Sequence, residues 1–268
     1  MRYVDEEIRT YETTVRNVVD TAKDLVERSP SAGSRAERDA HASALLNPVL
    51  RLRVFSRTAS RSVRAAHKLV LAEPGALAPE AFILHRTALL AACKAVVLLA
   101  GATPAERLTT SATLLDYDLQ NRRTQINEFA DFSEEITDVR AMSQELSRET
   151  AILRRSLDEE IARLGLRTTR VVETRIVKSA LTIIQRRAAT NAIMIGLGLW
   201  RHASGYAHAS PWPDDRWGEG TDIPPEWAVR EHTGHAAVIL NLLMSALVRA
   251  DALCTVTRAG EAFRRPLA

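Results

Sequence analysis

Apolar positions recur along this chain at spacings of three and four, the signature of helices that bury one face. Over residues 3–28 the series Val4, Ile8, Tyr11, Val15, Val18, Ala22 and Leu25 forms a heptad seam, which predicts a helix with a helical partner. SPSAGS at 29–34 has the composition of a turn. A second helix is expected over about 40–72. Leu52, Phe55, Ala59, Val63, Ala66 and Val70 would be its buried stripe, with Arg53, Arg57, Arg61, Arg64 and Lys68 opposite. EPGALAP breaks the chain. The next helix, roughly 80–100, is apolar almost all round and should be central.

Thr103-Pro104-Ala105-Glu106 reads as a capping box with proline in the first turn. From it, one long helix, or two with a break near 131–133, should reach Leu164. TTRVVETRIV, 168–177, is the one β-looking stretch and is read as a loop or irregular link. Helix is expected again from about 178 to 208. PWPDDRWGEGTDIPP has the composition of a loop, and a last helix should cover about 225–258. The predicted fold is an all-α, long-helix bundle. Its expected division is an N-terminal helical hairpin, 1–74, and a helical domain, 75–268.

The length of 268 residues is ample for a sizeable core. A formal charge of +3 argues neither for nor against nucleic acid, so any such case needs a local patch. The stripe from Arg53 to Lys68 is a candidate patch for a phosphate backbone. The same stripe also suits a solvated face, or pairing with acidic residues of the first helix such as Glu6, Glu12 and Asp20. Cys93 and Cys254 lie in apolar helical patterns and read as reduced core residues of a cytoplasmic protein. The charged start MRYVDEEIRTYE does not read as a signal peptide. The longest apolar runs carry His85, Arg86 and Lys94, or Asn241, so no membrane span is expected.

The chemistry is concentrated in RHASGYAH, 201–208. On a helix, a step of seven residues returns to nearly the same face about 10.5 Å further on. Arg201, Ser204 and His208 would therefore share a face. His202 would point away, and Gly205 would permit close approach. Histidine can move a proton to or from a ribose hydroxyl, and arginine can hold the phosphate. Arginine and histidine also suit a helix C-terminus for purely structural reasons, by meeting its last carbonyls.

Elsewhere, His232 and His235 are three apart with Glu231 beside them, but spacing gives no third metal ligand, so no metal or other cofactor is expected. Trp212, Trp217 and Trp227, with Arg216, could stack on bases or pin a loop. Asp116, Asp118, Glu134 and Glu135 suggest no carboxylate pair.

Arg201-His202, five residues, then His208 resembles the HEPN motif: arginine, a polar residue, and a histidine four to six positions on. The order of ILHRTALLAACKAVVLLAGATPAERL, 83–108, and LWRHASGYAHASPWP, 199–213, is also similar to a group of bacterial helical proteins often described as HEPN-like. That group carries an R-x-x-x-E helix and a later Y/W-R-x-x-S-x-x-x-H segment. The resemblance covers roughly 80–250. It implies an all-helical homodimer and a metal-independent endoribonuclease with a toxin–antitoxin, phage-defence or phage-related role. Arg201 and His208 would then be the catalytic pair, with His202 the polar neighbour and two sites facing each other across a cleft. One departure stands out: four residues after Arg86, where the group has glutamate, stands Leu90. That substitution favours an alternative, a non-catalytic interaction protein, adaptor or regulator with a protein partner on the same scaffold. A nucleic-acid-binding module using the Arg53–Lys68 stripe is a third reading.

Overall fold

A computed structural model describes residues 30–72, 79–132, 137–186, 192–207 and 225–255, together with Glu6, Arg9, Glu12, Thr13, Arg16, Asp20 and Lys23. Among the described residues the fold is all helical, as the pattern predicts. The helices are α1 (Arg35–Ala42), α2 (Pro48–Ala72), α3 (Pro79–Leu98), α4 (Pro104–Phe132), α5 (Thr137–Leu164), α6 (Glu173–Gln185), α7 (Ala192–Ala207) and α8 (Pro225–Cys254). The seven described positions before residue 30 are helical and exposed. They belong to the polar side of the first predicted helix; its heptad seam lies outside the described residues.

α3 is the axis of the bundle. Every residue from Ala88 to Val96 is buried, so all its faces are covered there, and α2, α6, α7 and α8 pack around it. The predicted stripe of α2 is buried in full, from Leu52 to Val70. The main core joins Phe55, Ala59 and Val63 of α2 to Phe82 and Leu89 of α3 and to Leu243 of α8. It therefore runs across the boundary expected at 74. α3 and α8 are each long and apolar enough, by length and composition alone, to cross a membrane. In this bundle 67% and 50% of those apolar windows are buried inside the protein.

A smaller second core lies where α4 and α5 form an antiparallel hairpin. Leu108, Ala112, Leu115 and Leu119 of α4 meet Leu157 of α5 and Leu46 of the α1–α2 turn. Arg122 pairs with Glu149, and Arg154 with Asp116, which fixes the antiparallel register. The hairpin begins at the predicted capping box. Thr103 Oγ1 accepts from the Glu106 amide, while the Glu106 carboxylate accepts from the Ala102 and Thr103 amides. Both orphan ends of the first turn are thereby satisfied.

Three boundaries differ from the sequence reading. The helix expected over 40–72 is two helices, because Ser43 and Asn47 turn their side-chain oxygens onto the amides of Leu46 and Val49 and restart the helix at Pro48. α6 starts at Glu173, inside the stretch read as irregular. Ile176, Val177, Ala180 and Leu181 make a helical stripe buried against α3, and that burial outweighs the modest helix propensity of β-branched residues. The helix expected over 178–208 is likewise two helices, α6 and α7.

α6 and α7 approach closely at Gly196. A Cβ there would lie 2.5 Å from Leu181 Cδ2 and 2.7 Å from Cδ1, and Leu181 is fully buried. Gly196→Ala is therefore expected to destabilise the fold by about 1–3 kcal/mol, although alanine is the better helix former. A urea-unfolding midpoint measures this, and an unchanged or raised midpoint would show that Leu181 can move aside.

Candidate functional site

The two motif segments, far apart in sequence, meet where α3 crosses α7. Arg86 Nε donates to Ser204 Oγ at 3.2 Å, and the guanidinium lies 4.5 Å above the centroid of the Trp200 ring. Trp200 is buried and its indole N–H donates to Thr174 Oγ1 at 3.3 Å. The other edge of the guanidinium is held by a carboxylate, Arg86 Nη2 donating to Glu173 Oε2 at 2.9 Å. Glu173 opens α6, where the helix dipole favours a negative charge. Its second oxygen accepts from the Tyr117 hydroxyl at 2.7 Å. Burial, and then the hydrogen bond to Glu173, push the Tyr117 hydroxyl above its ordinary pKa, so it remains a donor at neutral pH.

The polar seam continues inward. The Lys94 ammonium lies 4.9 Å from the centroid of the Tyr117 ring and bonds Asp118 at 2.8 Å. One connected set of side chains thus links α7, α3, α6 and α4. The glutamate that the resemblance puts at position 90 is leucine here, buried in the core. Arg86 nevertheless has its carboxylate, supplied from α6 by Glu173. No spacing rule connects two groups 87 positions apart. Within TTRVVETRIV the glutamate is the one acidic residue, and its neighbours in sequence give no sign of Arg86 as partner.

Arg201 is exposed. It continues an outward stripe of α7 through Met194 and Gly198, both also exposed, at spacings of four and three. Ser204 is half-buried and engaged by Arg86, so Arg201 and Ser204 lie on adjoining sides of α7 rather than equally toward solvent. His202, expected to point away from that face, does so: it is 6% exposed and its ring packs 4.8 Å from that of Phe82. A side chain so enclosed is not placed to exchange protons with a bound polymer. His208 lies outside the described residues, as do Trp212, Arg216, Trp217 and Glu134, Glu135; the side chain of Trp227 does too.

Behind α7 the histidines gather. His85 of α3 faces His232 and His235 of α8, with ring centroids 5.3 and 5.7 Å away, and the ring of Phe82 stands 4.9 Å from that of His232. His85 and His232 are 1% and 4% exposed. Burial lowers the pKa of His232 to about 4. Burial, then the neighbouring His232 and His202, lower that of His235 to about 3. His85 is driven well below its ordinary value by burial and by the same two α8 rings. All three are neutral at pH 7. Spacing offered two histidines and no third; α3 brings in His85.

The remaining candidates separate. Arg57, Arg61, Arg64 and Lys68 are exposed along α2, and Arg53 is half-buried. Among the described residues none of the five is in an ion pair. The first helix does reach α2, but through Glu12 to His67 at 3.7 Å. Asp116 and Asp118 pair with Arg154 and Lys94, so they are not a carboxylate dyad. Cys93 and Cys254 are both buried and neither is in a disulfide. Burial raises the Cys93 pKa, which leaves it unreactive. Comparison with known proteins gave no match: no family model, no curated protein and no solved structure matches this chain.

Proposed function

We propose that the chain is a HEPN-like helical protein that cleaves RNA without a metal ion at the C-terminal end of α7. The observation that carries this reading is the contact between Arg86 and Ser204, 118 positions apart, which unites the two resembling segments at one spot beside the exposed Arg201. Glu173 supports it further by giving Arg86 the carboxylate that Leu90 cannot. In this reading Arg201 holds the scissile phosphate, and Arg86, braced by Glu173 and Trp200, fixes the helix through Ser204.

His208 takes the proton of a ribose 2′-hydroxyl. That oxygen attacks the adjacent phosphorus, and the bond from phosphorus to the 5′ oxygen breaks. The leaving oxygen is protonated by an imidazolium of the facing site in a homodimer. The products are a 2′,3′-cyclic phosphate and a 5′-hydroxyl. Arg57, Arg61, Arg64 and Lys68 offer a sequence-independent track for the rest of the RNA.

Purified protein is expected to cleave RNA in EDTA, and Arg201→Ala and His208→Ala, folded by circular dichroism, are each expected to lose about 100-fold or more in rate. Equal cleavage by all three would remove the activity from this site. Binding that survives His208→Ala and weakens steeply with salt, with intact RNA throughout, would instead favour a binding module built on α2.

A further inference from the structure

We infer that His85, His232 and His235 form a binding site for a divalent first-row transition metal, of which zinc is the first candidate, clamping α3 to α8. The ligand atoms of these three side chains all lie within 4.8 Å of one another. His232 and His235 are three apart on one helix, so both rings leave α8 on the same side, and His85 meets them from the facing helix. Among the described residues, neither ring nitrogen of His85 or His232, nor Nδ1 of His235, has a hydrogen-bond partner, although these atoms are buried. Buried polar atoms are nearly always paired, and a cluster of five that is not calls for a ligand. A cation that accepts imidazole lone pairs satisfies one nitrogen on each ring at a stroke.

Metal–nitrogen bonds of about 2.0–2.1 Å in a tetrahedral arrangement put the three nitrogens roughly 3.3 Å apart. The observed spacing, within 4.8 Å, is wider than that, so coordination requires the rings to turn toward one another. The rings are neutral at pH 7, as ligands must be, so binding does not have to expel protons from them. An all-imidazole donor set suits zinc, copper or nickel and disfavours calcium and magnesium, which require oxygen. The location is the interior between α3 and α8, the two helices long and apolar enough to cross a membrane, beside Phe82. That position fits a structural clamp rather than a centre open to large substrates. The inference does not rest on the ribonuclease reading, because Arg201 is not among the ligands.

The test uses full-length protein freed of metal by chelation, shown to be folded and titrated with zinc. Wild type is expected to take up one zinc per chain and to melt at a higher temperature with it. His85→Ala and His235→Ala should bind more than about 100-fold more weakly, whereas His41→Ala, an exposed histidine outside the cluster, should bind as wild type does. X-ray absorption at the zinc edge of the wild-type complex is expected to show a shell of three imidazoles, which settles the matter even where a variant fails to fold. No zinc uptake by folded wild type, equal uptake by the variants, or a shell of oxygen ligands would each overturn the inference.

Discussion

Replacing Asp39 by alanine is expected to lower the stability of the protein by about 3–5 kcal/mol, the usual cost of leaving a buried charge without its partner. Arg107 is among the largest fully buried side chains, and the pair it makes with Asp39 is 1% and 2% exposed. The geometry is bidentate: Nε donates to Oδ2 at 2.6 Å and Nη2 to Oδ1 at 2.8 Å. The remaining terminal nitrogen, Nη1, donates to the carbonyls of Gly101 and Ala102, each at 3.2 Å. Arg107 thus ties α4 to α1 and to the turn that precedes its own helix. With Asp39 removed, the guanidinium keeps only neutral acceptors in a dry interior.

The converse expectation follows from the same physics. A double variant, Asp39→Leu with Arg107→Met, should regain most of the loss, because apolar groups of similar size need no compensation. Chemical denaturation of the three proteins measures both. A loss below about 1 kcal/mol for Asp39→Ala would mean that water reaches this pair.

Acid is expected to destabilise the metal-free protein well before its carboxylates protonate. His85, His232 and His235 have folded-state pKa values below the ordinary 6.5, at about 4 and about 3 for the last two. Above pH 6.5 these rings are neutral both folded and unfolded, and they cost nothing. As pH falls below 6.5, the unfolded chain binds protons that the folded rings refuse. Each ring then removes up to about 1.4 kcal/mol of stability per pH unit until its folded pKa is reached. Among the described residues, the titratable groups that act on them are one another and His202, each of which opposes protonation. Between pH 6.5 and 5 the urea midpoint should fall steeply, and His232→Gln should flatten that slope. A midpoint that is level over this window would show that the cluster is open to water.

How much of this could be read from the sequence depended on the range over which each signal acts. The stripe of α2, the interior character of α3 and the capping box at Thr103 are set by neighbours within one or two turns, and all were legible. The start of α2 at Pro48 was obscured because Arg- and Ala-rich sequence runs on both sides of the turn and favours helix throughout. The start of α6 was hidden for the opposite reason. Its β-branched residues lean away from helix, and only burial of Ile176, Val177 and Leu181 against α3 decides the matter.

The site divides in the same way. Helical spacing singles out Arg201, Ser204 and His208, but the engagement of Ser204 by Arg86 has no sequence signal, and His208 lies outside the described residues. The partnership of Arg86 with Glu173 and of His85 with His232 and His235 arises only when separate helices pack. Leu90 leaves Arg86 without a carboxylate one turn along its own helix, and the sequence gives no sign of the one that Glu173 supplies from α6.

The most direct measurement is the end chemistry of RNA incubated with the full-length protein in EDTA. The ribonuclease reading requires fragments that end in 2′,3′-cyclic phosphate and begin with 5′-hydroxyl, formed by wild type and absent with Arg201→Ala and His208→Ala. RNA left intact by folded wild type, or fragments bearing 3′-hydroxyl and 5′-phosphate, would contradict it.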